Sequence, residues 1–455
     1  MSQTELDLST QKVCHAYSIA LNEIEPDYDG QWQGITVASD GNCYFGSSTH
    51  SHRHGVGFYR FDPRTRELTT LAKDMTLVCG EDPTKTPPQG KIHSPIVECD
   101  GWLYFTTHLS NYWDEAKDTY TGAHVLGYEL ATGSFRDLGI VRPRFTVYSA
   151  INVDPVRKKL YAHSVPMAEE DRANDGCHIY RIDIPTGEMQ DLGKVIQKSW
   201  GACFWFYVDH EGNCWFTEWH RGGIFPEGGH GNLYRVAADS DRIERYDGVL
   251  PQCALWPDGE LLPEEDQLDR SWSWAQALPG RERCLFAMGH LSGEDERLWI
   301  FDPSKDLQTG EAFERVGYIG PTFLPVALGV NHVYYIQRGD LVSYRGYSGE
   351  AEREKDPDVY GKTDDYHLKS ISLLPEDKGA VIDHGLIVDQ KGRTARMIDS
   401  LAADQEGRVY SVGSWHILPG DQPTLQYDWE KPVKEFEVTK RGQFFACCDV
   451  SQDIA

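Results

Sequence analysis

Basic residues are scarce: 44 Lys and Arg face 71 Asp and Glu across 455 residues, a formal net charge of −27. A surface so short of positive charge argues against nucleic acid as a partner, because phosphate contacts need a basic face. It argues equally against an anionic membrane surface. Long apolar runs are missing as well, none approaching the ~18 residues of a membrane span. The opening MSQTELDLSTQKVC lacks a basic region followed by an apolar stretch, so no secretion signal is legible and a cytoplasmic setting is expected. Eleven cysteines, an odd number spread thinly, fit reduced thiols better than a disulfide framework. No Gly-Lys-Ser/Thr phosphate loop, GxGxxG dinucleotide turn or GxSxG elbow is present. No long 3.6-residue amphipathic pattern occurs either.

What is present is a repeat with a spacing in the range of propeller blades. Its first halves include SDGNCYFGSS (39–48), CDGWLYFTTH (99–108), VDPVRKKLYAHS (153–164), VDHEGNCWFTEW (208–219) and ADQEGRVYSVGS (403–414). Matching second halves include GFYRFDPRTRELTTL (57–71), HVLGYELATGSFRDLG (124–139) and CHIYRIDIPTGEMQDLG (177–193). Asp-Gly, Asp-Pro and Thr-Gly stand where hairpin turns need a positive or fixed φ. Between them, apolar and polar residues alternate with the period of two of a half-buried strand. The expected fold is therefore all-β, one seven-bladed β-propeller domain over 1–455 with four-stranded antiparallel blades. The blades are read at about 30–75, 88–140, 143–194, 198–249, 268–318, 320–375 and 378–420. A ring leaves no free sheet edge, so segments 13–25 and 433–450, within termini 1–29 and 421–455, are expected to close it. Inserts at 74–92, 109–123, 165–176, 220–230 and 249–272 are longer than ordinary connections, and loops of that length are usually functional or disordered.

Histidines concentrate at the ends of first strands. His50, His52 and His54 alternate in THSHRHG, His93 lies in GKIHSPIVE, His108 ends LYFTTH, His163 lies in LYAHS, and His220 follows Trp219 in TEWHRGG. Equivalent positions in successive blades converge near the axis on one face, so imidazoles, a phenol and a guanidinium are expected to meet there, as acid–base chemistry on a sugar requires. Each has a plainer alternative. His163 and His220 fit hydrogen-bonded structural roles, Tyr148 in FTVYSAINVD fits a core position, and Arg221 fits a solvated loop. A His-X-His pair alone is a weak metal signal.

GKIHSPIVECDGWLYFTTH, VYSAINVDPVRKKLYAHS and TEWHRGG together resemble the seven-bladed propeller lyases that cleave uronate-containing glycans: ulvan lyases, L-rhamnose–glucuronate lyases and, more distantly, oligogalacturonate lyase. The specific part of the likeness spans about 90–222. It implies β-elimination next to a uronic acid, giving a 4,5-unsaturated product from an acidic oligosaccharide. The residues it implies are His93, His108, Tyr148 and Arg221, with Arg221 and His93 on the carboxylate and Tyr148 and His108 as the acid–base pair. Arg144, His163, Trp219 and His220 are expected to bind substrate around them. Free tyrosine titrates near ~10, so Tyr148 as a base needs positive charge from Arg221 or Arg144. Oligogalacturonate lyase uses a divalent metal held by histidines; His50, His52 and His54 are where a Ca, Mn or Zn ion would be sought here. Two other classes stay open: a metal-dependent propeller hydrolase or lactonase built on those histidines, and a non-catalytic propeller presenting loops to a protein.

Overall fold

The computed structural model describes residues 12–148, 150–196, 201–203, 205–220, 232–251, 271–288, 297–319, 326–338, 366–427, 436–439 and 441–454. Among them the only helices are the short Met75–Val78, Asp114–Thr119 and Glu169–Asn174, all inside the inserts. None is long and apolar enough to cross a membrane. The remainder is strand and turn, in a propeller-like arrangement.

Five antiparallel sheets follow one another along the chain. Their strands run Ile35–Val37, Cys43–Thr49, Gly57–Asp62 and Glu67–Ala72 in the first, and Val97–Cys99, Trp102–Thr106, His124–Glu129 and Phe135–Ile140 in the second. The third holds Ile151–Asp154, Lys159–Pro166, Cys177–Asp183 and Met189–Ile196; the fourth Phe206–Val208, Cys214–Thr217, Leu233–Val236 and Ile243–Tyr246. The fifth holds Trp272–Ala277, Cys284–Met288, Arg297–Phe301 and Phe313–Tyr318. Local chemistry explains the hairpins. Asp100 and Gly101, at φ 51° and 75°, supply the two positive-φ residues of a tight turn between Cys99 and Trp102. Elsewhere an aspartate ending an inner strand ties the hairpin: Asp209 accepts from Asn213 N and Trp215 Nε1, both at 2.9 Å, and Asp404 accepts from Arg408 N at 2.9 Å and Tyr410 Oη at 2.7 Å.

The last sheet has eight strands, ordered Val326–Leu328, His332–Arg338, Tyr366–Ser372, Val381–Asp389, Val13–Ala20, Arg441–Asp449, Arg408–His416 and Ala395–Ala403. Val13–Ala20 joins its halves, pairing antiparallel with Arg441–Asp449 (Ala16 opposite Cys448) and parallel with Val381–Asp389 (Val13 opposite Leu386). Both ends of the chain thus meet in one ladder, and an edge that would invite aggregation is covered.

Apolar side chains pack between successive sheets. Phe58 meets Phe105 at 4.9 Å between the first and second, and Phe45 stacks on Phe445 at 4.7 Å between the first and the terminal strand. A central cavity of about 310 Å³ is lined by the innermost strands, including Val37, Val97, Asn152, Trp274, Val326 and Leu401. The imidazoles and the phenol were expected to share such an axial cavity, but none of His93, His108 or Tyr148 lines it. Inner strands direct mainly apolar side chains at the hub, Trp274 among them. The polar cluster forms beside it, where Gln33 and Pro95 do line the cavity next to Trp32 and two residues beyond His93.

Candidate active site

The short strand Gln89–Lys91 pairs antiparallel with His108–Leu109, placing Lys91 opposite His108. A Cβ on Gly90 would lie 2.3 Å from Ser110 Cβ, so glycine is what permits this approach. Lys91 is fully buried, and its Nζ donates to Leu109 O at 3.1 Å, Ser110 O at 3.1 Å and Tyr112 Oη at 2.9 Å. The ammonium lies 4.2 Å from the centroid of the Tyr112 ring and 5.7 Å from that of Trp32. Beneath it, Gln89 Oε1 accepts from Thr107 Oγ1 and Tyr120 Oη, each at 2.7 Å, fixing the floor.

His93 is the centre of the group. Its ring lies 4.3 Å from Tyr148, 5.3 Å from His108 and 5.6 Å from Trp32, on which it stacks at 15°. His108 and Tyr148 are themselves 5.7 Å apart. His50 closes the group 5.4 Å from Trp32, its Nδ1 held 2.9 Å from Asp29 Oδ2. His50, His93 and His108 are buried, whereas Trp32, Tyr112 and Tyr148 are half-buried. Buried imidazoles thus sit behind a partly solvated aromatic rim, a surface suited to the face of a sugar ring.

The electrostatics favour neutral imidazoles. Burial, followed by the charge of Lys91, pushes His93 down to about 3 and His108 well below the usual range. Burial also lowers His50, against the pull of Asp29, with Lys91 and Arg441 adding to the depression. Lys91 itself is lowered to about 7 by burial, which Asp29 partly offsets. His108 carries a decisive detail. Its Nδ1 lies 2.8 Å from Leu109 O, and a carbonyl only accepts, so Nδ1 bears the proton and Nε2 the lone pair. Nε2 is buried and has no hydrogen-bond partner among the described residues.

The structure therefore brings His93, His108, Tyr148 and His50 together. His163 is buried against the backbone of Ala150 and Tyr148, pushed down to about 3 by that burial, and lies behind the group. Arg144 turns to Asp171 instead, its Nη2 2.5 Å from Oδ1. Trp219–His220 is a short strand pairing with Gly201–Ala202, and Arg221 lies outside the described residues. Asp29, Trp32, Lys91 and Tyr112 were not among the expected site residues. For Asp29, Trp32 and Lys91 the signal was polar and aromatic residues in DGQWQG (29–34) and GKIH (90–93) where the repeat offers no structural reason for them; Tyr112 stands in the insert at 109–123.

His50, His52 and His54 do not form one metal cluster. His50 faces Asp29, His52 packs edge-on against Tyr427 at 5.5 Å, and His54 faces two carboxylates. The strand Cys43–Thr49 ends just before them, so the period of two that would put all three on one face no longer holds and the loop aims each ring differently. Among the described residues, the group with donor atoms close enough for one cation, within 4.8 Å of one another, is Glu25, Asp27 and His54. Burial alone would lower His54, yet Asp27, the Gly55 carbonyl and Glu25 together raise it. Asp27 Oδ1 and His54 Nε2 are buried without hydrogen-bond partners among the described residues. Oxygen and imidazole donors of this kind suit a divalent ion, although Arg53 already neutralises Asp27.

No family model and no curated protein matches this chain. Solved structures that are similar in shape include an oligogalacturonate lyase in complex with manganese, at 12% identity and TM-score 0.48, over 94% of this chain and 92% of that one. An oligogalacturonate lyase from Vibrio parahaemolyticus aligns with the same values. A GH74 enzyme from Niastella koreensis aligns at 11% identity and TM-score 0.49, over 85% of this chain and 51% of its own.

Proposed function

We propose that this protein is a carbohydrate lyase that cleaves a glycosidic bond beside a uronic acid by β-elimination. The observation that carries the reading is the contact of His93, His108 and Tyr148, with the unpartnered Nε2 of His108 beside the half-buried Tyr148 ring. Abstraction of the C5 proton is opposed by the adjacent carboxylate, so positive charge must neutralise it, a contribution of several kcal/mol in a dry pocket. Lys91 and Arg441, whose charges both reach His50, supply that field, with Arg221 a further candidate. His108 Nε2 takes the C5 proton, and the C–H electron pair becomes the C4–C5 double bond. The C4–O4 bond breaks, and the departing oxygen takes the proton of Tyr148 Oη. Once the products leave, His108 gives up the C5 proton to water and Tyr148 takes one back from water, which resets the site. His93 donates to the carboxylate, and Trp32 and Tyr112 hold the sugar face.

A divalent ion at Glu25, Asp27 and His54 would add positive charge and brace the 51–54 segment; the elimination steps belong to His108 and Tyr148. The metal-dependent hydrolase alternative, read from His50, His52 and His54, keeps only His54 of the three, now beside Glu25 and Asp27, and predicts inhibition by a chelator with no unsaturated product. We also read the eight-stranded sheet as two blades sharing Val13–Ala20, a count of seven. Among the described residues, seven large apolar clusters, each between neighbouring sheets or sheet halves, support this.

Glucuronate- and galacturonate-containing oligosaccharides should yield the ultraviolet absorbance of a C4–C5 double bond. Tyr148→Phe should lower that rate by about 10²–10⁴-fold, the range for loss of a positioned acid, with an unchanged circular dichroism spectrum. Normal turnover in this variant would remove Tyr148 from the mechanism.

A further inference from the structure

The structure assigns Lys91 as a positioning residue that sets the tautomer of His108 through the Leu109 carbonyl, rather than a group that grips the substrate. The assignment builds on the elimination reading above. Leu109 O accepts twice, from His108 Nδ1 at 2.8 Å and from Lys91 Nζ at 3.1 Å. The remaining ammonium donors are taken by Ser110 O and Tyr112 Oη, so no N–H of Lys91 is left for a ligand. A lysine with three donors satisfied inside the protein acts on a substrate only through its field and through what it holds.

What it holds is the segment that carries the base. Lys91 clamps consecutive carbonyls at 109 and 110, and the strand register sets it opposite His108. With that carbonyl fixed, Nδ1–H has an acceptor and Nε2 must carry the lone pair; with the clamp gone, the ring can exchange tautomers and bury its lone pair on the wrong side. The charge of Lys91 acts in the same direction, opposing protonation of His108. The other titratable groups facing His108 are His93, His50, Tyr112 and Tyr148.

The test combines kinetics with nitrogen NMR on [15N]histidine-labelled protein, the His108 signals being identified by their loss in His108→Gln. In the wild type, His108 should show a protonated Nδ1 and an unprotonated Nε2 without any substrate. In Lys91→Met, that pattern should give way to mixed tautomers, and kcat should fall about a hundredfold, as expected when a reacting group is misplaced by about an ångström, with KM changed less than twofold. Lys91→Arg, which keeps charge and donors, should restore the tautomer and part of kcat; Lys91→Gln serves the same comparison if the methionine variant does not fold. A raised KM with kcat retained, or an unaltered His108 tautomer in both neutral variants, would overturn the assignment. Should the tautomer respond to Lys91 while no uronate is ever eliminated, the positioning role stands and the lyase reading fails.

Discussion

At the level of single residues, the protein keeps the histidines of this region neutral by burying them. His93 and His163 are each pushed down to about 3, and His108 is lowered too, all chiefly by burial. In the unfolded chain they titrate near ~6.5. Between pH ~6.5 and ~3 the unfolded state therefore binds protons that the native state refuses, so stability must fall as the pH drops through this window. His124 adds nothing there. Burial disfavours its charge, but Asp137, Cys79 and Glu81 push it up to about 12, so it is protonated in both states below ~6.5. Urea midpoints measured from pH 7 to 5, above the carboxylate range, should decline, and His163→Gln should show a shallower decline. A flat profile over that interval would contradict the burial of neutral imidazoles.

At the level of elements, the site is a consequence of one tight strand pair. Gln89–Lys91 and His108–Leu109 approach because Gly90 has no side chain to strike Ser110, and Gly30 likewise leaves room for the Trp32 ring, which a Cβ would meet at 2.5 Å. Gly90→Val should separate the pair, destabilise the fold by about 1–3 kcal/mol as overpacking does, and reduce kcat more than KM. A urea midpoint and kcat both matching the wild type would show that the pair does not position His108. These elements also mark how far the sequence could be read. The hairpins were legible because Asp-Gly and Asp-Pro turns and strand alternation are local, and Asp100-Gly101 adopts the positive φ values its chemistry suggested. His93, His108 and Tyr148 were legible as polar or phenolic breaks in the repeat. The convergence of Asp29, Trp32, Lys91 and Tyr112 was not, because it depends on long-range register and on which side of each strand faces the rim. The alternating His50, His52 and His54 read as one metal centre because a strand would put them on one face, yet the strand ends at Thr49 and they face three different surroundings.

At the level of the whole molecule, a net charge of −27 surrounds a pocket whose own charges include a buried lysine. Screening over about 8–10 Å at physiological salt keeps the global repulsion from reaching a short ligand strongly, while that repulsion disfavours long polyanions. The proposed substrate is accordingly a short acidic oligosaccharide rather than a long polyanion. The propeller-like arrangement sets edges of neighbouring sheets side by side, with strands Val13–Ala20 and Arg441–Asp449 tied into one ladder. The central claim is that these edges form an eliminating site and not a hydrolytic one, and mass spectrometry of a cleaved uronate oligosaccharide separates the two. Elimination adds nothing, so the two product masses should sum to the mass of the substrate. If the sum exceeds it by one water, the bond was hydrolysed and the roles given to His108 and Tyr148 are wrong.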